Sequence, residues 1–398
     1  LADAGAAIYG PAPVASPSLQ DQPRSDERVR ALAKELWGDG KIQNNMPLVD
    51  DLSSLKLAPD FACKWHAPDA ETIHTAHRHV GDREIYFVAN AQRRPVEFDA
   101  WFRAQGRVEI WHPEDGSMEQ CLVSDAMNDG RTKMSMRLDP AQSIFVVFHG
   151  KADPKAFTSF TQAGRIPGDG SKLLQHDDKL VVHGFANGAY IATASKSTKS
   201  VQITDLPDPI TLGSPWTLHF PKGWGAPDSM ELPKLIDWRT SDNFDIQHFS
   251  GTATYATKFS VSAEQLQRGS LAQIDLGDVQ VMATAKLNGK DLGLLWKPPF
   301  RVDVTGLLKE GDNELEVRVT NLWINRLIGD EAYPPIGAYT KKGGIEAIPS
   351  WLLEGKPKPE SKRKTFITWR HYKAGDPLEP SGLIGPVKLI WGKEMAMK

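Results

Sequence analysis

From residue 72 onward, apolar side chains recur at every second position in short runs. Val96, Phe98, Ala100 and Phe102 form one such run, Val108 and Ile110 a second, and Met134, Met136 and Leu138 a third. A period of two sends successive side chains to opposite faces, so each run predicts a strand with one buried side. Residues 84–90 and 143–148 are almost continuously apolar and predict buried strands. Short strands divided by turn signals at this spacing argue for a β-sandwich over residues 62–150.

Residues 151–213 read as a strand-containing linker. Within it, segments 179–183 and 189–194 suggest a hairpin around Asn187-Gly188, a dipeptide that tolerates positive φ. Residues 195–200 are polar and predicted to be exposed, and the Pro-rich stretch 206–215 marks a boundary. A second β unit follows over 214–398. Its strongest local signal is the Leu287-Asn288-Gly289-Lys290 hairpin. Further strands are expected at 300–304, 314–320, 365–369 and 387–391, with no helix longer than about two turns. The stretch 329–364 is too long for a plain connection, and loops beyond roughly 12–15 residues are usually functional or disordered.

The first 61 residues differ. Residues 6–9 suggest a short strand, stopped by Gly10-Pro11-Ala12-Pro13. Pro23 and Ser25 then introduce a helix, with Asp26 and Glu27 in its first turn, where carboxylates favour the positive end of the helix dipole. Val29, Leu32, Ala33, Leu36 and Trp37 follow helical spacing, and Gly38 is expected to end it. Residues 49–57 are a weaker helix candidate. A lone strand and helix read as the tail of an α/β subdomain whose front half is absent, with a ragged N-terminus as the alternative. The predicted class is mainly β: two β-sandwich or jelly-roll units preceded by a short α/β remnant.

Composition narrows the function classes. The formal net charge of −3 over 398 residues gives no electrostatic case for nucleic-acid binding. No apolar run reaches the ~18 residues of a membrane helix. Two cysteines, Cys63 and Cys121, cannot build a disulfide framework. Twelve Trp residues in a turn-rich β chain hint at carbohydrate binding, although most can equally fill sandwich cores.

Some residues carry a resemblance. Residues 249–255, Leu287-Asn288-Gly289, residues 294–305 and residues 311–315 look like the galactose-binding-like jelly roll of β-galactosidase-type glycosidases. More particular are Asn325-Arg326-Leu327-Ile328-Gly329-Asp330, residues 380–387, His77-Arg78, Gly81-Asp82 and residues 85–90. Together they resemble the C-terminal part of family 106 glycoside hydrolases, the α-L-rhamnosidases, over nearly the whole chain. The resemblance implies a (β/α)-barrel catalytic domain ahead of these regions, against which this chain would pack. It also implies an inverting two-carboxylate mechanism, calcium at the active site of the full-length enzyme, and export to the periplasm or beyond. No acidic residue here matches a catalytic motif of the family, so both catalytic carboxylates are expected outside the chain, and no cofactor site is evident within it.

Several residues are candidates for contacting an oligo- or polysaccharide. His74, His77 and His79 are the only histidine cluster, with His77 and His79 on one strand face. A metal site there would need further ligands, and none is evident. His77 and Arg78 could instead donate to sugar hydroxyls or form an interdomain polar contact. Asn321, Trp323, Asn325, Arg326 and Asp330, with Glu331, offer amide, guanidinium, carboxylate and indole groups suited to sugars. The plain alternative is loop anchoring, with Trp323 in the core and Arg326 paired to Asp330 or Glu331. Trp351, Trp369 and Tyr372 are weighed in the same way, with core packing favoured for Trp369. The basic run 356–364 reads as a solvated loop. The stretch 381–385 reads as a turn, lacking the lysine and context of a phosphate loop, and no Gly-x-Ser-x-Gly elbow is present.

Overall fold

The computed structural model describes residues 2–4, 8–43, 58–66, 73–177, 179–213 and 215–398. The helix expected at 49–57 and positions 6–7 of the expected first strand lie outside them. The chain divides into two compact units, Leu1–Ala62 with Trp101–Arg103, and Cys63–Ala100 with Ala104–Lys398.

In the first unit a helix spans Arg24–Gly38, with Asp26 and Glu27 in its first turn. The left-handed residue beyond its end is Gly40 (φ 70°), two positions past the expected stop. Short strands Ile8–Tyr9 and Ile42–Gln43 pair in parallel. Parallel neighbours require a crossover, and the helix provides it, making a minimal βαβ unit. The Trp37 indole N–H donates to the Gly10 carbonyl at 2.7 Å, tying the helix to the first strand's exit. Of the apolar stripe, only Ala33 is buried.

From residue 61 the chain builds two sheets. One has the order Phe61–Trp65, Val96–Phe102, Thr132–Leu138, Asp125–Ala126, and the other Ile73–Val80, Arg83–Asn90, Ser143–His149, Arg107–Trp111, Met118–Cys121. The alternating residues Val96, Phe98 and Ala100 are buried, as are Tyr86, Val88, Val146 and Phe148 of the other sheet. Both sheets thus carry the buried apolar positions expected of strands with a covered face.

The hairpin expected around Asn187-Gly188 does not form. Lys179–Gly184 lies between Lys172–His176 and the C-terminal strand Lys388–Ala396. Gly188–Ala194 instead pairs with Ser159–Gln162 and with Ser197–Ile203. The two segments stack rather than join, because Tyr190 and Ile203 press onto Gly184. A Cβ at Gly184 would stand 2.3 Å from Ile203 Cδ1 and 2.9 Å from the Tyr190 ring. Asn187 accepts a hydrogen bond from the Leu206 N–H at 3.1 Å, so it anchors a later segment.

The C-terminal sandwich sets a six-stranded sheet against a second sheet. The first runs Ser229–Leu232, Trp216–His219, Thr252–Val261, Gly311–Thr320, Met282–Leu287, Lys290–Leu295. The second contains Leu271–Asp275, Arg301–Asp303 and Lys388–Ala396. Trp216, Tyr255, Val317 and Val319 meet Ile274, Leu389 and Trp391 in one core. The Asn288-Gly289 hairpin forms as predicted, with φ of 52° and 82°, the pair of positive values that a two-residue turn with native twist requires. Residues 365–369 form no strand: the Thr365 N–H is spent on a side chain described below, and Trp369 makes only an isolated bridge to Gly344. No helix among the described residues is long and apolar enough to cross a membrane.

A charge clamp joins the first sandwich to the following segment. Lys172 Nζ donates to Glu119 at 2.7 Å, and His112 Nε2 approaches its other oxygen at 3.2 Å. Burial pushes this carboxyl up, but the His112 hydrogen bond and the Lys172 charge outweigh it and hold it at about 2, against an ordinary 4.5. A depressed folded-state value contributes stability that is complete above the unfolded value and lost as pH falls toward the folded one. With the side chain about one-third exposed (32%), screening reduces the contribution to about 1–2 kcal/mol. Glu119→Gln should therefore be less stable than the parent in urea unfolding at pH 6, with the difference shrinking between pH 4.5 and 2. A difference independent of pH would contradict this account.

Candidate functional site

The candidate residues after the Gly311–Thr320 strand are gathered by a short helix, Ile324–Asp330. Asn321 donates from Nδ2 to the Phe249 carbonyl (2.8 Å) and to Ser381 Oγ (3.1 Å), and accepts from the Gly251 N–H (2.9 Å). Asn325 bridges the same serine (3.0 Å) and both main-chain groups of Glu379 (2.7 and 2.8 Å). Two buried amides thus use their polar groups to hold the chain around Pro380 against the strand end. Satisfied in this way, they avoid the cost of burying polar groups unpaired.

Arg326 and Asp330 are each 1% exposed and face one another one helical turn apart, Nε to Oδ1 at 3.0 Å. Asp245 lies 3.9 Å from the guanidinium. The guanidinium is engaged by charge rather than by aligned hydrogen bonds, as none of its nitrogens meets an acceptor in hydrogen-bond geometry. Burial lowers the neighbouring His248 below its ordinary value, despite its hydrogen bond to the Phe244 carbonyl, and the Arg326 charge adds to the lowering. Asp330 Oδ2 accepts from the Lys364 N–H (3.0 Å) and from the Thr365 N–H and hydroxyl (both 2.7 Å). Glu331 binds Arg363 at 2.7 Å, with both side chains 2% exposed, and also binds Arg370 through Nε at 2.9 Å. Two adjacent carboxylates therefore pin both ends of the long 332–370 excursion.

Trp323 is 53% exposed and packs beside Trp224, ring centres 5.5 Å apart and tilted by 57°. The core position weighed for it does not hold, because it precedes the helix on the solvent side. Trp369 is likewise 49% exposed rather than core. Arg363 corrects the solvated reading of the run 356–364, since its guanidinium is buried on Glu331 and the Tyr333 carbonyl.

His77 and Arg78 sit on a different sheet, on the strand Ile73–Val80. His77 stacks on Tyr86 (4.0 Å, 7° between planes) and bonds Glu84 at 2.8 Å, while His79 takes the other Glu84 oxygen at 2.8 Å. Burial pushes the Glu84 carboxyl up, but the two histidines prevail and hold its pKa below the ordinary carboxylate value. Arg78 is exposed and donates to the His77 carbonyl at 2.9 Å. A concavity of about 710 Å³, lined among others by His66, Arg94, Glu97, Phe160 and Arg165, includes none of the predicted site residues.

Sequence reasoning missed Ser250, Asp237 and Ser381. Ser250 accepts from the Arg326 N–H at 3.1 Å and donates to the Leu322 carbonyl, and Asp237 accepts from the Ser381 N–H at 3.2 Å. They lie tens of residues from their partners, so no spacing marks them.

Arg326→Met should destabilise the protein by about 3–5 kcal/mol, because it leaves Asp330 buried without its counter-charge. Arg326→Met/Asp330→Asn should cost less, since Asn keeps an acceptor for Thr365 and carries no charge. Urea unfolding of the two variants checks this, and a double variant no more stable than the single one would contradict it.

Comparisons with known proteins place these features. Residues 1–124 match the family described as alpha-L-rhamnosidase, glycoside hydrolase family 106. Residues 237–365 match the glycosyl hydrolase 2 galactose-binding domain-like family. A rhamnosidase structure from Novosphingobium sp. PP1Y superposes with a TM-score of 0.66 at 28% identity, covering 98% of this chain and 31% of that one. A Formosa agariphila protein that carries the provisional name beta-glucuronidase is 26% identical over 565 residues, covering 97% of this chain and 48% of its own length. The chain thus spans about half of the curated relative and about a third of the solved rhamnosidase. It joins a segment similar to family 106 α-L-rhamnosidases to a galactose-binding-like β-sandwich, in an architecture related to glycoside hydrolases.

Proposed function

We propose that this chain supplies the accessory β domains of an α-L-rhamnosidase-like glycoside hydrolase, whose inverting pair of carboxylates lies outside it. The carrying observation concerns acidity. A general acid that protonates a glycosidic oxygen at neutral pH needs a carboxyl raised above its ordinary value. Among the described residues, every carboxyl whose pKa is clearly displaced is displaced downward, toward the ionised form: Glu84, Asp99, Glu109, Asp115, Glu119 and Asp129. Asp330 and Glu331, the acids nearest the candidate residues, are saturated by arginines and main-chain donors. An inverting pair would stand roughly 6.5–9.5 Å apart, with room for water on the far side of the sugar.

In this reading the chain packs against an N-terminal catalytic barrel, and the whole acts on an oligo- or polysaccharide after export to the periplasm or beyond. Asn321, Asn325, Arg326 and Asp330 act by holding the Ile324–Asp330 helix and the 332–370 excursion. Trp323, with Trp224, offers an indole face that a sugar ring can stack on. His77 and Arg78 offer donors to hydroxyls or to the barrel.

The exposed Trp323, packed beside the half-buried Trp224, also favours a second reading, a carbohydrate-binding module that works without a catalytic partner. Two assays separate the readings. The chain alone should not hydrolyse an aryl α-L-rhamnoside above the buffer rate, and clear turnover would sink the placement of the catalytic carboxylates. Calorimetry with rhamnose-containing oligosaccharides tests the binding module, which requires saturable affinity that Trp323→Ala reduces about tenfold or more, an indole stacking face contributing on the order of 1.5 kcal/mol.

A further inference from the structure

Three side chains on three neighbouring strands converge on one point far along the chain from the candidate residues above. His176 ends the strand Lys172–His176, His183 lies on Lys179–Gly184, and Glu394 lies on Lys388–Ala396. His183 and Glu394 are direct cross-strand partners, with Nε2 and Oε2 2.8 Å apart. The His176 ring comes in from the other side, its centre 6.1 Å from that of His183. One ligand atom from each of the three lies within 4.8 Å of the others, and this is the one such grouping of three among the described residues.

We propose that His176, His183 and Glu394 form a transition-metal site with the donor set of zinc. Two imidazoles and one carboxylate are borderline donors, which favour Zn²⁺ over the oxygen-seeking Ca²⁺ or Mg²⁺. Tetrahedral zinc with bonds of ~2.0–2.1 Å holds its donors ~3.3 Å apart. The His183–Glu394 contact must open by a few tenths of an ångström, and His176, which is exposed, must turn inward. Water completes the coordination.

The neighbouring charges permit a cation. Lys172, opposite His183 in register, is drawn away to Glu119 at 2.7 Å. Lys393, adjacent to Glu394, donates to the Thr204 carbonyl at 2.9 Å. Lys179, opposite His176, is the remaining nearby cation on these strands. The contrast with Glu84 is instructive. There two histidines also meet one glutamate, but each takes a different oxygen, so the rings do not share a focus. The proposed ion would clip the Lys172–Gly184 hairpin to the chain's last strand.

The test uses the whole chain, stripped of metal with a chelator that is then dialysed away. Calorimetric titration with ZnCl₂ should show one saturable site per chain, and thermal melting should show a Zn²⁺-dependent rise in Tm. His183→Gln and Glu394→Gln, confirmed folded by far-UV circular dichroism without metal, should each weaken binding about tenfold or more. His79→Gln should leave it unchanged, and CaCl₂ should produce no saturable signal. Absence of zinc binding by the parent chain overturns the proposal. So does binding that survives both His183→Gln and His176→Gln, which would put the metal elsewhere.

Discussion

The buried Arg326–Asp330 ion pair is the constraint on which the C-terminal half depends. Taking two opposite charges out of water costs several kcal/mol per ion, and attraction across 3.0 Å offsets that only while both partners stay in place. The pair is worth more as geometry than as energy. Asp330 carries one oxygen to arginine and the other to the main chain at Lys364 and Thr365, so a helix of seven residues fixes a segment more than thirty residues downstream. Glu331 repeats the device with Arg363 and Arg370. A long excursion that would otherwise carry a large conformational entropy is closed into a sequence of short, anchored spans.

The same economy explains why amide-rich and charged residues that suit sugar recognition can be wholly buried. Asn321 and Asn325 converge on Ser381 because the strand end, the chain near Phe249 and the approach to the Gly382–Gly385 strand all present unpaired main-chain groups there. Amide side chains, with two donors and an acceptor, can satisfy them together. Trp323, which lies between the two asparagines in sequence, instead meets solvent and packs beside the partly buried Trp224.

Elsewhere carboxylates gather histidines and lysines from neighbouring strands, and in some cases from segments far along the chain. Glu84 gathers His77 and His79, and Glu119 gathers His112 and Lys172. His183 and Glu394 join the 172–184 hairpin to the last strand in the same style. The segment between the two sandwiches is therefore no passive tether, since Lys172–His176 and Lys179–Gly184 are paired into the sheet that contains Lys388–Ala396, while Ser159–Gln162, Gly188–Ala194 and Ser197–Ile203 form a sheet of their own.

Local chemistry made much of the fold legible. Period-two runs such as Val96 to Phe102 and Met134 to Leu138 can be strands of only one orientation once a face must be buried, and Asn288-Gly289 suits few turns other than the one it makes. Pairing between distant strands was not legible. Asn187-Gly188 has the residues of a hairpin turn, yet Gly184 is covered by Tyr190 and Ile203, and the flanking strands go to different sheets. The candidate residues divide in the same way. Their types could be picked from the chain, but whether Trp323 met solvent or core, and whether Arg363 in a basic run met water or Glu331, depended on partners brought together from far along the sequence. Burial is a property of the assembled layers, and no local pattern encodes which polar side chain will find its counter-charge inside them.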